Sequence, residues 1–202
     1  MVLGGTARAD DATIDWARGV ITAGGVGIAD RHAPSPAAAR GPARRAAEDA
    51  ARKRLAAALP ALPLATGGTL RAKLSDPQVE ARVARAVADA IAVEAEPETD
   101  GSWRVVMAVP LEAVRQAVAG PRPLERDDGA GPAIVIVEGA AGKPAVGWKI
   151  GALAAPTLWV KDVPAWAKDA RRIKAKSSHR GQLELAEAAG SASTLFVVIA
   201  KP

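Results

Sequence analysis

The sequence has no cysteine and no tyrosine, one phenylalanine and five tryptophans. Without cysteine, disulfides, thiolate metal sites and cysteine nucleophiles are excluded, and these residues offer no thiol to carry a lipid. Aromatics make up 3% of the 202 residues, so large anchoring side chains are scarce. The core has to be assembled from Leu, Val, Ile and the tryptophans. Histidine is confined to His32 and His179. No stretch reaches the roughly 18–20 consecutive apolar residues that a membrane-spanning helix needs.

What is present is alanine in quantity, within a hydrophobic fraction of 49% that is large enough to build a core. The 27 basic and 22 acidic residues leave a net charge of +5, a mild excess compatible with an anionic partner without requiring one. At the start, Thr6-Ala7-Arg8-Ala9 followed by Asp10-Asp11 is similar to the small-residue cleavage site that closes a secretory signal peptide. Residues 1–12 are therefore expected to be a signal-peptide remnant or a disordered tail.

Along the chain, Ile14, Trp16, Arg18, Val20 and Thr22 alternate as in a strand over Thr13–Ile28, which then enters Gly24, Gly25 and Gly27. Ser35 can cap a helix with Pro36 at its first position, although Gly41-Pro42 points to a start at Pro42. From Ala43 to Leu59 the residues Ala47, Ala51, Leu55, Ala58 and Leu59 share one face, and Pro60 and Pro63 end the helix. Leu62–Leu74 reads as a strand interrupted at Gly67-Gly68, or as a hairpin about those glycines. Ser75-Asp76-Pro77-Gln78 reads as a capping box with Ser75 as the cap, ahead of the apolar stripe Val79, Val83, Val87 and Ala90. Ile91–Glu96 and Ser102–Val109 flank Pro97-Glu98-Thr99-Asp100-Gly101 as a hairpin, and Leu111–Val118 forms a short helix. Gly120–Gly131 is a loop or linker. Short strands follow at Ala133–Val137, Ala145–Ile150, Thr157–Val160, Leu183–Leu185 and Leu195–Ala200, with a brief helix within Pro164–Ala170. The expected fold is α+β: an antiparallel sheet with two main amphipathic helices packed on one face, within a core of 13–120, and a β-rich part at 132–202, possible as the same domain.

The run Trp16-Ala17-Arg18-Gly19-Val20-Ile21-Thr22-Ala23-Gly24-Gly25-Val26-Gly27, followed by an alanine- and arginine-rich helix ending Ala51-Arg52-Lys53-Arg54-Leu55, resembles the bacterial LPP-twenty lipoprotein family and the related N-terminal domain of FlgT-type flagellar assembly proteins. Ala133–Val137 leading through Glu138-Gly139 to Pro144-Ala145 is similar to that family's apolar strand and Pro-Ala step, and the order of elements continues to Thr194–Ile199. The sequence departs from the pattern in lacking a cysteine and in carrying Val146-Gly147-Trp148 where a charged residue often follows the Pro-Ala step. The resemblance implies a periplasmic or outer-membrane-associated protein whose partner is another envelope protein or a cell-wall or lipid surface. It supplies no catalytic residues.

Each route to catalysis fails at a named residue. Gly25-Val26-Gly27-Ile28-Ala29-Asp30 starts like a dinucleotide loop but has an acid in the third glycine's place, so strand glycines allowing close backbone approach are the better reading. Gly139-Ala140-Ala141-Gly142-Lys143-Pro144 is too short for a phosphate loop, has proline where a hydroxyl is needed, and reads as a glycine hairpin. Two remote histidines do not make a zinc site, and no G-x-S-x-G elbow presents a serine. Paired carboxylates, Asp10-Asp11, Asp127-Asp128 and the alternating Glu94, Glu96 and Glu98, are the one open route, and Glu94–Glu98 reads first as a solvated face. No enzyme activity and no cofactor is expected. For binding, Arg171, Arg172, Lys174, Lys176 and Arg180 form a basic run with His179, read as a loop, to which Arg40, Arg44, Arg45, Arg52, Lys53 and Arg54 could add area. A cytosolic nucleic-acid module using residues 171–180 is the alternative function, and a poorer fit because no stacking aromatics are interleaved. Trp148, Trp159 and Trp166 are either core anchors or an aromatic platform for a carbohydrate or peptide.

Overall fold

The computed structural model describes residues 12–120, 132–191 and 193–200. Among them, three α-helices accompany a four-stranded antiparallel sheet and a six-stranded mixed sheet, an α+β architecture. The first sheet runs β1 (Thr13–Asp15), β2 (Val20–Gly27), β4 (Trp103–Pro110), β3 (Ile91–Pro97). Thr13–Ile28 is thus not one strand. The Asp15 carboxylate accepts from the amides of Ala17 (3.0 Å) and Arg18 (2.9 Å), and Gly19, at φ 66°, turns the chain back. Ile14 comes to lie opposite Ile21.

Helix α1 (Pro36–Ala58) begins where Ser35 accepts from the Ala38 amide at 3.2 Å, earlier than a start at Pro42. Pro42 lies exposed within the second turn, where it forfeits one backbone bond, and burial of Ala39 holds the preceding turn in place. Ala39, Ala43, Ala47, Ala51 and Leu55 form its buried stripe. The stripe lies on the buried positions of β2, namely Ile21, Ala23, Gly25 and Gly27. A Cβ on Gly25 would overlap the carbonyl oxygen of Ala47, and one on Gly27 that of Ala43. These strand glycines therefore serve the close backbone approach expected of them. Arg54 ties the same pair of elements together, donating from Nη1 to the Gly24 carbonyl at 2.7 Å.

The segment after α1 is not a continuous strand but a minimal hairpin, with Pro63 bridged antiparallel to Thr69. Leu64 donates to Gly68 (3.1 Å) and Leu70 to Leu62 (2.9 Å) around Gly67 and Gly68, both at positive φ, and the chain then winds into a 3-10 turn at Leu70–Lys73. Leu62 and Leu64, which flank Pro63, are buried, and Leu70 is buried on the returning arm. Helix α2 (Pro77–Ala88) is capped by Asp76, which accepts from the Gln78 amide at 2.8 Å, and not by Ser75, whose hydroxyl bonds back to the Ala72 carbonyl. Pro77 occupies the first helical position, which fixes the cap at the residue before it. Val79, Val83 and Val87 are buried, the β3–β4 hairpin forms with Gly101 at φ 88°, and α3 (Leu111–Ala119) packs on α2, where Arg82 donates to the Ala117 carbonyl at 2.7 Å.

The loop expected at Gly120–Gly131 falls, beyond Gly120, outside the described residues, as does the N-terminal segment before Ala12. The second sheet runs β6 (Lys149–Ile150), β9 (Gln182–Leu185), β8 (Arg171–His179), β5 (Ile134–Ala140), β10 (Leu195–Ala200), β7 (Thr157–Val160). Its pairs are parallel except for the β8–β9 hairpin. Central β5 and β10 bury consecutive residues, Val135–Val137 and Phe196–Val198, because both faces of the sheet are covered. Gly147, at φ 89°, confines the expected strand 145–150 to its last two residues. Gly139–Pro144 is not a hairpin, since β5 leaves through an open loop to Val146, which bridges Leu64 of the first half. The two halves are joined there by Ala65 donating to Val146 and Val146 donating to Pro63, both at 2.9 Å, and Val146 completes the first hydrophobic cluster.

Two stability experiments follow. Gly27→Ala in β2 is expected to destabilise by roughly 1–3 kcal/mol or more through overpacking, whereas Gly41→Ala, in helix α1 and with only the end of Arg45 nearby, is expected to gain about 0.5–1 kcal/mol. Asp76→Ala is expected to cost about 1 kcal/mol and Ser75→Ala much less. Urea unfolding midpoints measure all four.

Candidate functional site

The tryptophans do not form one platform. Trp148 and Trp159, at 8% and 4% exposure, meet at 5.5 Å between ring centroids with planes tilted by 51°. The backbone of Gly142 packs against both rings, and the Trp148 indole donates to the Lys143 carbonyl at 3.2 Å. Both are core anchors of the second sheet. Trp166, at 56% exposure, is the one left open to solvent. It stands on the 3-10 turn Ala165–Ala167, whose next residue, Ala167, is buried against Ile136 and Val197. Burying Ala167 holds the turn on the sheet and leaves Trp166 outside.

Trp166 faces a groove of about 750 Å³ that it lines with Trp16, Trp159, Pro144 and Pro164, while Arg18, Lys161 and Asp162 supply charge. Trp16 reaches this place because the Asp15 turn lifts it out of the strand, and its carbonyl accepts from the Trp159 amide at 3.0 Å. The turn is thereby fixed to the edge strand β7, and Gly19 lies so close to Leu158 that a Cβ there would clash. The lining therefore comes from both halves of the chain. Concave, apolar and edged with a few charges, it has the size of pockets that hold small molecules or the anchoring side chains of a peptide, about 300–1,000 Å³. Reading Trp16 as a strand residue missed its part in the groove. Asp15 and Gly19 on either side of it were the available signal, since that spacing favours a turn.

The basic run is a strand and not a loop. Arg171–His179 is β8, and only Arg180 (φ 46°) and Gly181 (φ 80°) turn the chain into β9. Acidic residues are interleaved with its cations. Arg171 pairs with Glu187 at 3.2 Å and Arg172 with Glu138 at 3.3 Å, while Lys174 lies beside Glu138 in register. Ser177 donates to Glu184, a residue that shares a shallow cleft with Lys176 and Glu187. On α1, Arg44 pairs with Glu48 at 3.1 Å and lies over the Trp103 ring at 5.4 Å, and Arg52 meets Glu48 and Asp49. In both sets part of the positive charge is thus opposed by carboxylates.

His32 sits in a turn, its amide bonded to the Asp30 carboxylate at 2.8 Å, and His179 ends β8. Among the described residues no group of three or more His, Asp or Glu is placed to hold a metal ion. Glu94, Glu96 and Glu98 are exposed, as a solvated face would be, and Asp10-Asp11 and Asp127-Asp128 lie outside the described residues. Asp100 is held below the ordinary aspartate range, first by the Ser102 amide at 2.9 Å and then by the Ser102 hydroxyl. A lowered value favours the charged form in the folded turn, so its contribution is complete above the ordinary aspartate range and is lost as pH falls through the lowered value.

At the seam between the halves, Arg115 is buried and donates from Nε and Nη2 to the two Glu112 oxygens, each at 2.7 Å. It stands between two small cavities of about 190 Å³ each, one towards Trp16 and Trp148 and the other towards Lys73 and Lys149. The buried guanidinium is thus matched by a carboxylate of its own helix, in a bidentate geometry. Comparison of the sequence with protein-family models and with curated proteins finds no match to either.

Replacing Trp166 with phenylalanine is expected to remove the larger part of the tryptophan fluorescence that iodide quenches, and replacing Trp159 to remove little of it. Stern–Volmer plots of the two variants measure this.

Proposed function

We propose that this chain is a non-catalytic interaction module of the bacterial envelope, periplasmic or outer-membrane-associated, and that it holds a partner protein in the Trp16–Trp166 groove. The observation that carries the binding role is Trp166 itself, an indole kept in solvent beside Trp16 and two prolines although the chain has few aromatics. Tryptophans in such settings are the residues on which binding energy concentrates. The location rests on the resemblance of Trp16–Gly27 and the helix after it to the LPP-twenty and FlgT N-terminal pattern. No helix among the described residues is long and apolar enough to cross a membrane, which suits a module attached to the envelope through a partner. The interleaved glutamates along β8 speak against nucleic acid as that partner.

The test is a photo-crosslinking amino acid placed at position 166 of the native chain in cells, with the exposed Ala84 of α2 as the control position. Crosslinks to an envelope protein at 166 and not at 84, with the chain recovered in the periplasmic or membrane fraction, are expected. Recovery of the native chain in the cytosol, or equal crosslinking at both positions, would overturn the reading.

A further inference from the structure

On the far side of the first sheet from Trp16, strand β3 is open. It ends the strand order β1-β2-β4-β3, and all seven of its residues are exposed. Other sheet edges are short or covered. β1 has three residues and β6 two, with Leu153 bridged to Ile150, and the outer side of β7 takes the Trp16 carbonyl. Unpaired edges invite strand addition, and proteins ordinarily shorten or cover them. β3 also keeps two β-branched apolar side chains in water, Ile91 at 57% and Val93 at 41% exposure. Helix α1 covers β2 and β4, so the helix-side positions Ala92, Ala95 and Pro97, opposite Met107, Val105 and Trp103, lie beside a step down from the helix.

Charge decides which strand could be added. Ile91, Glu94 and Glu96 lie opposite Ala108, Val106 and Arg104, on the face away from α1. Glu98 beyond them is paired with Arg104 at 3.1 Å, while Glu94 and Glu96 take part in no ion pair among the described residues. A second copy of this chain added antiparallel about Glu94 would set glutamate against glutamate, and like charges directly opposite are destabilising. A segment with Lys or Arg at alternate positions would instead meet both. Pro97 has no N–H to donate, which limits pairing to the residues before it.

We propose that β3 is a docking edge for an extended, basic segment of a partner protein, which adds as a fifth strand with its cations beside Glu94 and Glu96. The two glutamates select: they reject self-pairing and accept a segment of opposite charge. This surface is independent of the Trp166 groove, which lies where the β1–β2 turn meets the second sheet.

The probe is a short synthetic peptide alternating lysine and valine, with a glutamate–valine peptide of equal length as its counterpart. Backbone pairing is read from hydrogen-exchange protection of the amides of residues 91–96, and affinity from fluorescence anisotropy. The basic peptide is expected to slow exchange there and to bind less tightly as salt rises, and the acidic peptide to do neither. Glu94→Lys with Glu96→Lys, both exposed, sets a lysine opposite Arg104, so circular dichroism and the unchanged exchange of the β2 and β4 amides first establish that the variant is folded. It is expected to weaken the basic peptide by about tenfold or more and to admit the acidic one. A basic peptide N-methylated at alternate amides is expected to lose binding. The proposal is overturned by an absence of protection in β3, by binding indifferent to the charge reversal, by an N-methylated peptide that binds equally well, or by concentration-dependent protection of β3 in the protein alone, which would mean self-pairing.

Discussion

Contact between the alanine stripe of α1 and the glycines of β2 sets the terms for the first half of the molecule. Helix and strand approach until the Ala43 and Ala47 carbonyls occupy the space that a Cβ of Gly27 or Gly25 would need. At that separation there is no room for large side chains, so a chain poor in aromatics can still pack closely there. Further along the helix, Leu55 and Leu59 fill the space towards Leu62 and Leu70. The high alanine content, which buries little area per residue, thus gains its value from proximity. Arg54, reaching from α1 to the Gly24 carbonyl, adds a directional bond across the same contact.

The second sheet answers a different problem. Its central strands are covered on both sides, and Phe196 and Ile136 on them, with Trp159 of the edge strand β7 and Trp148 just before β6, fill the space around the sheet. The two halves meet where short irregular segments touch: Pro63–Ala65 against Val146, and the Asp15 turn against β7. Trp16 packs against both hydrophobic clusters and contributes to the groove beside Trp166, so the seam that joins the halves also shapes the candidate site.

The charged residues are arranged by pairing more than by sign. Several of the cations that stand out in the sequence pair with a carboxylate once folded, Arg44 and Arg52 on α1 through Glu48 and Asp49, and Arg171 and Arg172 on β8 through Glu187 and Glu138. Exposed pairs of this kind contribute little to stability, at most about 1 kcal/mol each. Their consequence is electrostatic: they reduce the positive field along α1 and β8 that a nucleic-acid partner would use.

Elements set by local rules were legible in the sequence. The Ser35 cap, the valine stripe of α2, the β3–β4 hairpin around Gly101, strands β7 and β10, and the α+β class all depend on spacing and on neighbours a few residues away. So did the role of Gly25 and Gly27, since paired glycines in a strand have few other uses. Shifts of a single residue were harder to see, such as the cap at Asp76 rather than Ser75, because neighbouring cap formers compete and the proline between them and the helix decides. The candidate site was not legible. Whether Trp148, Trp159 or Trp166 ends in the core depends on which strand each meets, and Trp16 joins Trp166 only because a turn of one sheet docks on the edge of the other. Likewise the Arg172–Glu138 pair comes from parallel strand order, which places Glu138 beside a residue 34 positions away. Periodicity reports which face of an element is apolar; only the tertiary fold decides what that face, and the side chains opposite it, will meet.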